Sequence, residues 1–431
     1  MAARDAGAGA SANANAGANA GACSNAGAGG AAGSSRRMSL AFFLAGFGTF
    51  ALIYDVQPLL PEFPVDFPIV PATASLALSL TTLLLAASML VVGRVSEVAN
   101  RRNLMSASVI IASAIGVCSA FSPGWHVFLL LRALMGLALG GLPAVALAYL
   151  SDNVPAEKVH GTVGLYIAGT AFGGMAGRLL SGFMAGHLGW RQTSGAVSAI
   201  CLAAGVLFYF ALPRGDRRHA ATPGGALGLG ALSPGALGGL ARRFAAQWRD
   251  ALLPRLFVEG GVLMGCFVAT YNYLCFRLQK APFFYSEAQV SMIFLVYFFG
   301  MVASPMCGRL VRRFGVANVL RVTLLCYAAG ALISIPDTLA TVLVGATLVT
   351  VGFFAGHATA SAWVNQRAGA GKAIASAQYL TVYYIGASLL GWSGGYAWQF
   401  LGWAGVAALV CACSLLGARL VPAEAGQPRP E

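Results

Sequence analysis

Residues 166–190 read YIAGTAFGGMAGRLLSGFMAGHLGW, and residues 379–403 read YLTVYYIGASLLGWSGGYAWQFLGW. At an offset of 213, Tyr166, Gly173, Gly182, Gly189 and Trp190 fall on Tyr379, Gly386, Gly395, Gly402 and Trp403. Five matches at one spacing, including a Gly-Trp pair, mark an internal repeat. A second echo lies upstream in each half. Gly93-Arg-Val-Ser-Glu97 returns as Gly308-Arg-Leu-Val-Arg312 at an offset of 215.

What the repeat is made of follows from composition. Of 431 residues, 58% are hydrophobic and 10% charged, and the mean hydropathy is +0.73. Soluble domains carry roughly a quarter charged residues, so the apolar surface here needs lipid as its solvent. Disorder over most of the chain is excluded by the same numbers. The nine cysteines form no CxxC pair and no His/Cys spacing that suits zinc, so no metal site is read.

A bilayer core about 30 Å thick needs about 20 apolar helical residues. Twelve stretches qualify: 39–60, 74–94, 103–122, 125–150, 161–186, 193–212, 256–277, 286–307, 317–336, 338–362, 373–398 and 402–421. The predicted fold is an all-α membrane protein of twelve transmembrane helices in two six-helix pseudo-repeats. Its organisation is a flexible Ala/Gly-rich tail (1–37), a first six-helix bundle (38–212), a linker (213–253), a second bundle (254–421) and a short tail (422–431). Within the linker, residues 240–253 read as a linker end or as an interfacial amphipathic helix. Parallel repeats related by an axis along the membrane normal are one plan of secondary transporters, with the substrate near the midplane between the halves.

Charge sets the orientation. With the N-terminus and the loops after helices 2, 4, 6, 8 and 10 on one side, that side holds 22 of the 27 Lys and Arg. The other side holds Arg191, Arg277 and Lys280, while Arg132 and Arg178 lie in spans. The positive-inside rule then puts both termini in the cytoplasm, and the localisation expected is a multi-pass protein of the cell inner membrane. The net charge of +13 is a topology signal, not a nucleic-acid surface.

At this point the chain resembles the major facilitator superfamily over about residues 38–420. The loop motif G-x-x-x-D-R-x-G-R-R/K stands here as Gly93-Arg-Val-Ser-Glu97-Val98-Ala-Asn100-Arg101-Arg102. A helix 4 Arg four residues before a Gly stands as Arg132 and Gly136. The helix 5 antiporter motif stands as Gly169-Thr-Ala-Phe-Gly173-Gly174-Met-Ala-Gly177-Arg178, with Gly174 where Pro is usual. The strings GLYIAG, GGMAGRLLSG and YNYLCFRLQKAPF resemble the YnfM-like bacterial inner-membrane transport proteins, of arabinose-efflux or multidrug type. The resemblance implies a proton-driven exporter acting as a monomer. It also implies that Glu97 docks on the N-terminus of helix 11, near Lys372, as a cytoplasmic latch steadied by Arg101 and Arg102.

An ionisable group inside a span is expensive and marks function by default. Asp55 on helix 1 and Arg132 on helix 4 lie at similar depth, and in the implied fold both helices line the cavity. A pair between them is expected, as a proton carrier or as a static tie. Arg178 is a second buried cation, suited to an anionic substrate, to a carbonyl or to Asp55 itself. His357, with an ordinary pKa of about 6.5, reads as a proton relay or as a packing histidine. Tyr271, Asn272, Gln378, Tyr379 and Tyr383 suit a cavity for amphipathic organic molecules, with an interfacial belt as the other reading of Tyr271. Gly169, Gly173 and Gly177 repeat every four residues and allow close backbone approach and sliding.

No P-loop or HExxH motif is present, so an enzyme is not expected and the energy source is an ion gradient. The reading is proton-coupled efflux of small organic molecules by alternating access. Uptake by proton symport is the alternative within transport, and a membrane enzyme or channel is the one outside it. The partners expected are the substrate, protons and lipids, with no cofactor, metal or nucleic acid.

Overall fold

The computed structural model describes residues 37–96, 99–154, 156–212, 242 and 244–422. Residues 1–36 of the expected tail, Glu97 of the expected latch and most of the expected linker lie outside the described residues. The described residues are mostly helix joined by turns and short irregular segments, with no strand among them.

Ten helices are long and apolar enough to cross a membrane among the described residues, and two of them are double. The helix α1 is Arg37–Tyr54, α2 is Leu76–Val95 and α3 is Arg101–Ser119. Next, α4 is Trp125–Asn153. The continuous helix Ala156–Ala211 is broken only at Gly189, with φ +70°, and forms α5 (156–188) and α6 (190–211). Then come α7 (Leu253–Gln279), α8 (Glu287–Phe314), α9 (Val316–Ile333) and α10 (Leu339–Ala368). Lys372–Leu420 is broken at Gly402, with φ +58°, and forms α11 (372–401) and α12 (403–420). Both glycines belong to the repeated set, and both adopt a backbone region that side-chain-bearing residues avoid.

The expected loop between helices 5 and 6 is therefore one residue. Helix 1 also ends sooner than expected. It stops at Tyr54, and residues 55–62 form successive turns. Pro58 and Pro61 explain this, because proline lacks an N–H and disfavours helix at the residue before it.

Close packing inside each bundle uses the repeated glycines. A Cβ on Gly169 or Gly173 would collide with the backbone of Phe43 or Phe47 on α1, and one on Gly177 would stand 2.7 Å from Ala51 Cα. On α11, Gly386 packs on the backbone of Gly261 of α7 in the same manner. The α1–α5 and α7–α11 seams are thus equivalent in the two halves. The glycine stripe on α5 is an internal seam of the first bundle, so the close backbone approach expected of it is to α1.

The halves meet from mid-span out to the face opposite the termini. There α2 packs on α11: Thr82 Oγ1 and Ser388 Oγ are 3.0 Å apart, and Ser388 donates to Ser79 O at 2.8 Å. Likewise α5 packs on α8, where Gly182 lies directly against Ser291. Toward the termini the same helices part. A Cβ on Gly161 or Gly164 of α5 would meet nothing within 4 Å. Along residues 301–314 of α8 only Cys307 is buried. The largest core cluster runs through both halves, whereas a separate one near the termini (Phe42, Met105, Tyr149, Tyr166 and Phe208) belongs to the first bundle alone.

Candidate functional site

The turn that ends α1 holds the first part of the site. Asp55 and Arg132 are both essentially inaccessible, and Arg132 Nη1 donates to Asp55 Oδ1 at 2.9 Å. Ser194 Oγ of α6 donates to Asp55 Oδ2 at 2.9 Å. Arg132 also donates to the carbonyls of Ile53 and Leu52, to Ala77 O and to Thr81 Oγ1, at 3.0 to 3.3 Å. Every one of these partners lies in the first bundle. The pair is therefore sealed between α1, α2, α4 and α6 and does not line the space between the halves, contrary to the expected cavity position.

Two residues further on, Gln57 faces the other way. Its Nε2 donates to Asn272 Oδ1 of α7 at 2.7 Å, across the halves. Its Oε1 accepts from Arg178 Nε, and Arg178 Nη1 donates to Gly174 O. The Arg178 guanidinium lies 3.9 Å from the ring centre of Tyr54, 5.0 Å from Tyr297 and 5.3 Å from Phe294. It makes no ion pair among the described residues and is 2% exposed. A buried guanidinium is held here by amide, carbonyl and ring faces, which are weaker partners than a carboxylate. Asp55 is not its partner.

The second bundle holds the other expected residues. His357 on α10 is half-buried, and its Nδ1 lies 2.9 Å from Tyr379 Oη. Its ring sits 5.9 Å from Phe353, 5.6 Å from Tyr379 and 4.9 Å from Tyr383. This aromatic nest lies in a different bundle from Asp55, so the expected proton-coupling residues do not form one cluster. Tyr271 is fully buried against Thr350 Oγ1 of α10 and packs on Phe267, Phe294 and Tyr297. It is neither an interfacial belt residue nor open to the space between the halves. Gln378 is buried near the termini face, donating to Gln247 at 3.2 Å.

Of the loop motif, Gly93 lies in α2. Arg101 pairs with Asp152 at 2.6 Å, and Arg102 donates to Tyr209 O at 2.7 Å. Both arginines are thus bound inside the first bundle.

At the opposite face, Glu62 Oε2 accepts from the Trp190 backbone N–H at 3.1 Å, and Trp190 Nε1 donates to Asp66 Oδ2 at 2.6 Å. The other Glu62 oxygen has no partner. Burial, and then the negative charge of Glu287 on α8, push the Glu62 carboxyl up to about 7. The Trp190 N–H opposes this and Asp66 adds to it.

Sequence reasoning missed Gln57, Tyr54 and Glu62. It also missed Glu259, a fully buried acid on α7 whose two carboxylate oxygens have no partner. Glu259 had a signal, as a lone acid within the run FVEGGVLMG. Gln57 and Tyr54 had none, because neutral polar and aromatic residues are ordinary in membrane helices.

Twelve apolar helices in two repeated bundles, locked together at one end and parted at the other, define a multi-pass membrane transporter and not an enzyme. The chain belongs to the major facilitator superfamily, whose family model matches residues 38–279. It is 42% identical to the MFS-type transporter YybF of Bacillus subtilis over 375 residues, covering 87% of this chain and 90% of that one. It is 37% identical to the inner membrane transport protein YnfM of Escherichia coli over 374 residues, covering 87% of each. The fold is similar to the crystal structure of the nucleoside transporter NupG. The TM-score is 0.63 at 16% identity, covering 89% of this chain and 97% of that one.

Proposed function

We propose that the chain exports small organic molecules across the inner membrane in exchange for protons, by alternating access, as a monomer with both termini in the cytoplasm. The observation that carries this reading is the confinement of the named cross-half contacts to one end (Gln57–Asn272, Thr82–Ser388 and Gly182–Ser291). With the termini cytoplasmic, this is the state closed to the outside and open inward, ready to load cargo. The Lys and Arg bias supports the orientation, and the glycine motif on α5 supports export.

Coupling rests on the turn after α1. A proton on Asp55 removes the charge that holds Arg132, and Ser194 is left to reorient. The same turn carries Gln57, so loosening it relaxes the grip on Asn272 across the halves and on Arg178 within the first bundle. Arg178, caged by rings and without a carboxylate, is the cation an anionic or aromatic cargo meets as that grip is released.

The test uses inverted membrane vesicles from cells overproducing the chain, with a panel of labelled organic compounds and an imposed pH gradient. Uptake into such vesicles that is abolished by an uncoupler and by Asp55→Asn is the expected result. Gradient-independent flux rules out coupling, and accumulation only in right-side-out vesicles rules out export in favour of symport.

A further inference from the structure

Glu259 lies on α7, six residues from the start of that helix at Leu253, about 9 Å along its axis from the termini face. The residue is 0% exposed. Neither Oε1 nor Oε2 has a hydrogen-bond partner. Around it stand Gly417 of α12, where an added Cβ would be 2.9 Å from Glu259 Oε2, and Leu324 of α9. Among the described residues, Cys266 on its own helix and Tyr379 on α11 are titratable groups that feel its charge. Among the described residues, the cations on α7, α9 and α12 toward the termini face do not pair with it. Arg255 and Arg419 are exposed, and Arg321 donates to Asn318 Oδ1 and Val421 O.

An ionised carboxylate in such surroundings has lost its water and gained nothing in return, at several kcal/mol. Every other buried acid or base described above has partners: Asp55 has Arg132 and Ser194, and Arg178 has Gln57 and three rings. Glu259 is the exception, and it becomes tolerable when neutral.

The approach of α11 suggests how a proton reaches it. Gly260 has no side chain, and a Cβ there would lie 2.5 Å from Tyr379 Cε2, so an edge of the tyrosine ring packs against α7 at the residue after Glu259. The hydroxyl of that tyrosine contacts Nδ1 of half-buried His357 at 2.9 Å. A half-buried imidazole and a buried phenol thus lead toward an acid whose oxygens have no hydrogen-bond partner.

We propose that Glu259 is a proton-binding site of the second bundle, carrying a proton on its carboxyl in this conformation and exchanging it through Tyr379 and His357. On release the Glu259 O–H bond breaks and the carboxylate keeps the electron pair. The proton passes to the Tyr379 oxygen as that hydroxyl gives its own proton to Nδ1 of neutral His357, after a rotation of the Glu259 side chain. The use of this proton for transport rests on the coupled reading above, whereas its presence does not.

The test is infrared spectroscopy of the full chain in lipid nanodiscs at neutral pH, in a Glu62→Gln background so that the Glu62 carboxyl, itself pushed up to about 7, adds no band of its own. A protonated-carboxyl C=O band is expected that Glu259→Gln and Glu259→Met both remove and that shifts down in D2O. Tyr379→Phe is expected to keep the band and slow its shift. Asp55→Asn is expected to keep the band whatever that variant does in the vesicle assay, which separates the two readings. A band that is absent in the parent protein, or that survives both Glu259 variants, overturns the site. Exchange at an unchanged rate in Tyr379→Phe overturns the route. If Glu259→Gln does not fold, Glu259→Met gives the same readout, since a neutral partnerless carboxyl is replaceable by an apolar chain of similar length.

Discussion

Asp55 and Gln57 share one turn and face opposite ways: Asp55 inward to Arg132 at 2.9 Å, Gln57 across to Asn272 of the other half at 2.7 Å. The ion pair of the first bundle and the contact to the second are thus only two residues apart in the chain.

Gln57→Leu tests the cross-half end of that turn. It leaves Arg178 Nε and Asn272 Oδ1 buried without partners, and each loss costs about 1–3 kcal/mol. The closed face should open more often. Spin labels placed on α2 and α11 at that face should report a larger population at long distance, and the melting temperature should fall as the Gln57–Arg178 bond within the first bundle is lost. An unchanged distance distribution would show that Gln57 is not part of the lock.

Asp55→Asn tests the inward end. Removing one partner of a buried ion pair costs about 3–5 kcal/mol, because the other charge is left uncompensated. The melting temperature in detergent should fall clearly. Asp55→Leu combined with Arg132→Met should recover part of the loss, since a matched apolar pair leaves no orphan charge. If the double variant melts below both single variants, the ion pair is stabilising in its own right.

The Glu62 carboxyl predicts a pH dependence. Its pKa rises from an ordinary 4.5 to about 7 in this closed form, chiefly through burial and Glu287. The closed form thus binds a proton that the separated face releases. Closure should be favoured in acid and lose that advantage as pH rises toward about 7. Distances between labels near residues 62 and 287 should lengthen over that interval. In Glu62→Gln the distances should no longer follow pH, and a pH response retained in that variant would assign it to another group.

Gly173 and Gly182 separate packing from switching. Gly173→Leu forces a side chain into the Phe47 backbone within one bundle, so it should abolish folded protein. Gly182→Ala places a methyl against Ser291 in the other half, so it should leave a folded protein whose far face no longer closes. Yield and melting temperature report the first effect, and cysteine accessibility near residue 291 reports the second.

The spans were legible because twenty apolar residues have few other uses in a chain with so little charge. The Asp55–Arg132 contact was legible because two ionisable groups at matched depth must find partners. Their enclosure within one bundle was not, because the end of α1 depends on Pro58 and Pro61 turning the chain. The α5 glycines announced a close backbone neighbour without naming it, since spacing alone does not distinguish α1 from the opposite half. Gly189 was hidden because a reversal on one residue leaves no polar loop. Glu259 was readable by the rule that selected Asp55, but an acid with no visible cation gave no pair to look for.

Gly189 and Gly402 each reverse the chain on a single residue, so the hairpins α5–α6 and α11–α12 have no slack at their tips. An epitope tag or fluorescent insert at either tip would have to unwind a helix to be accommodated.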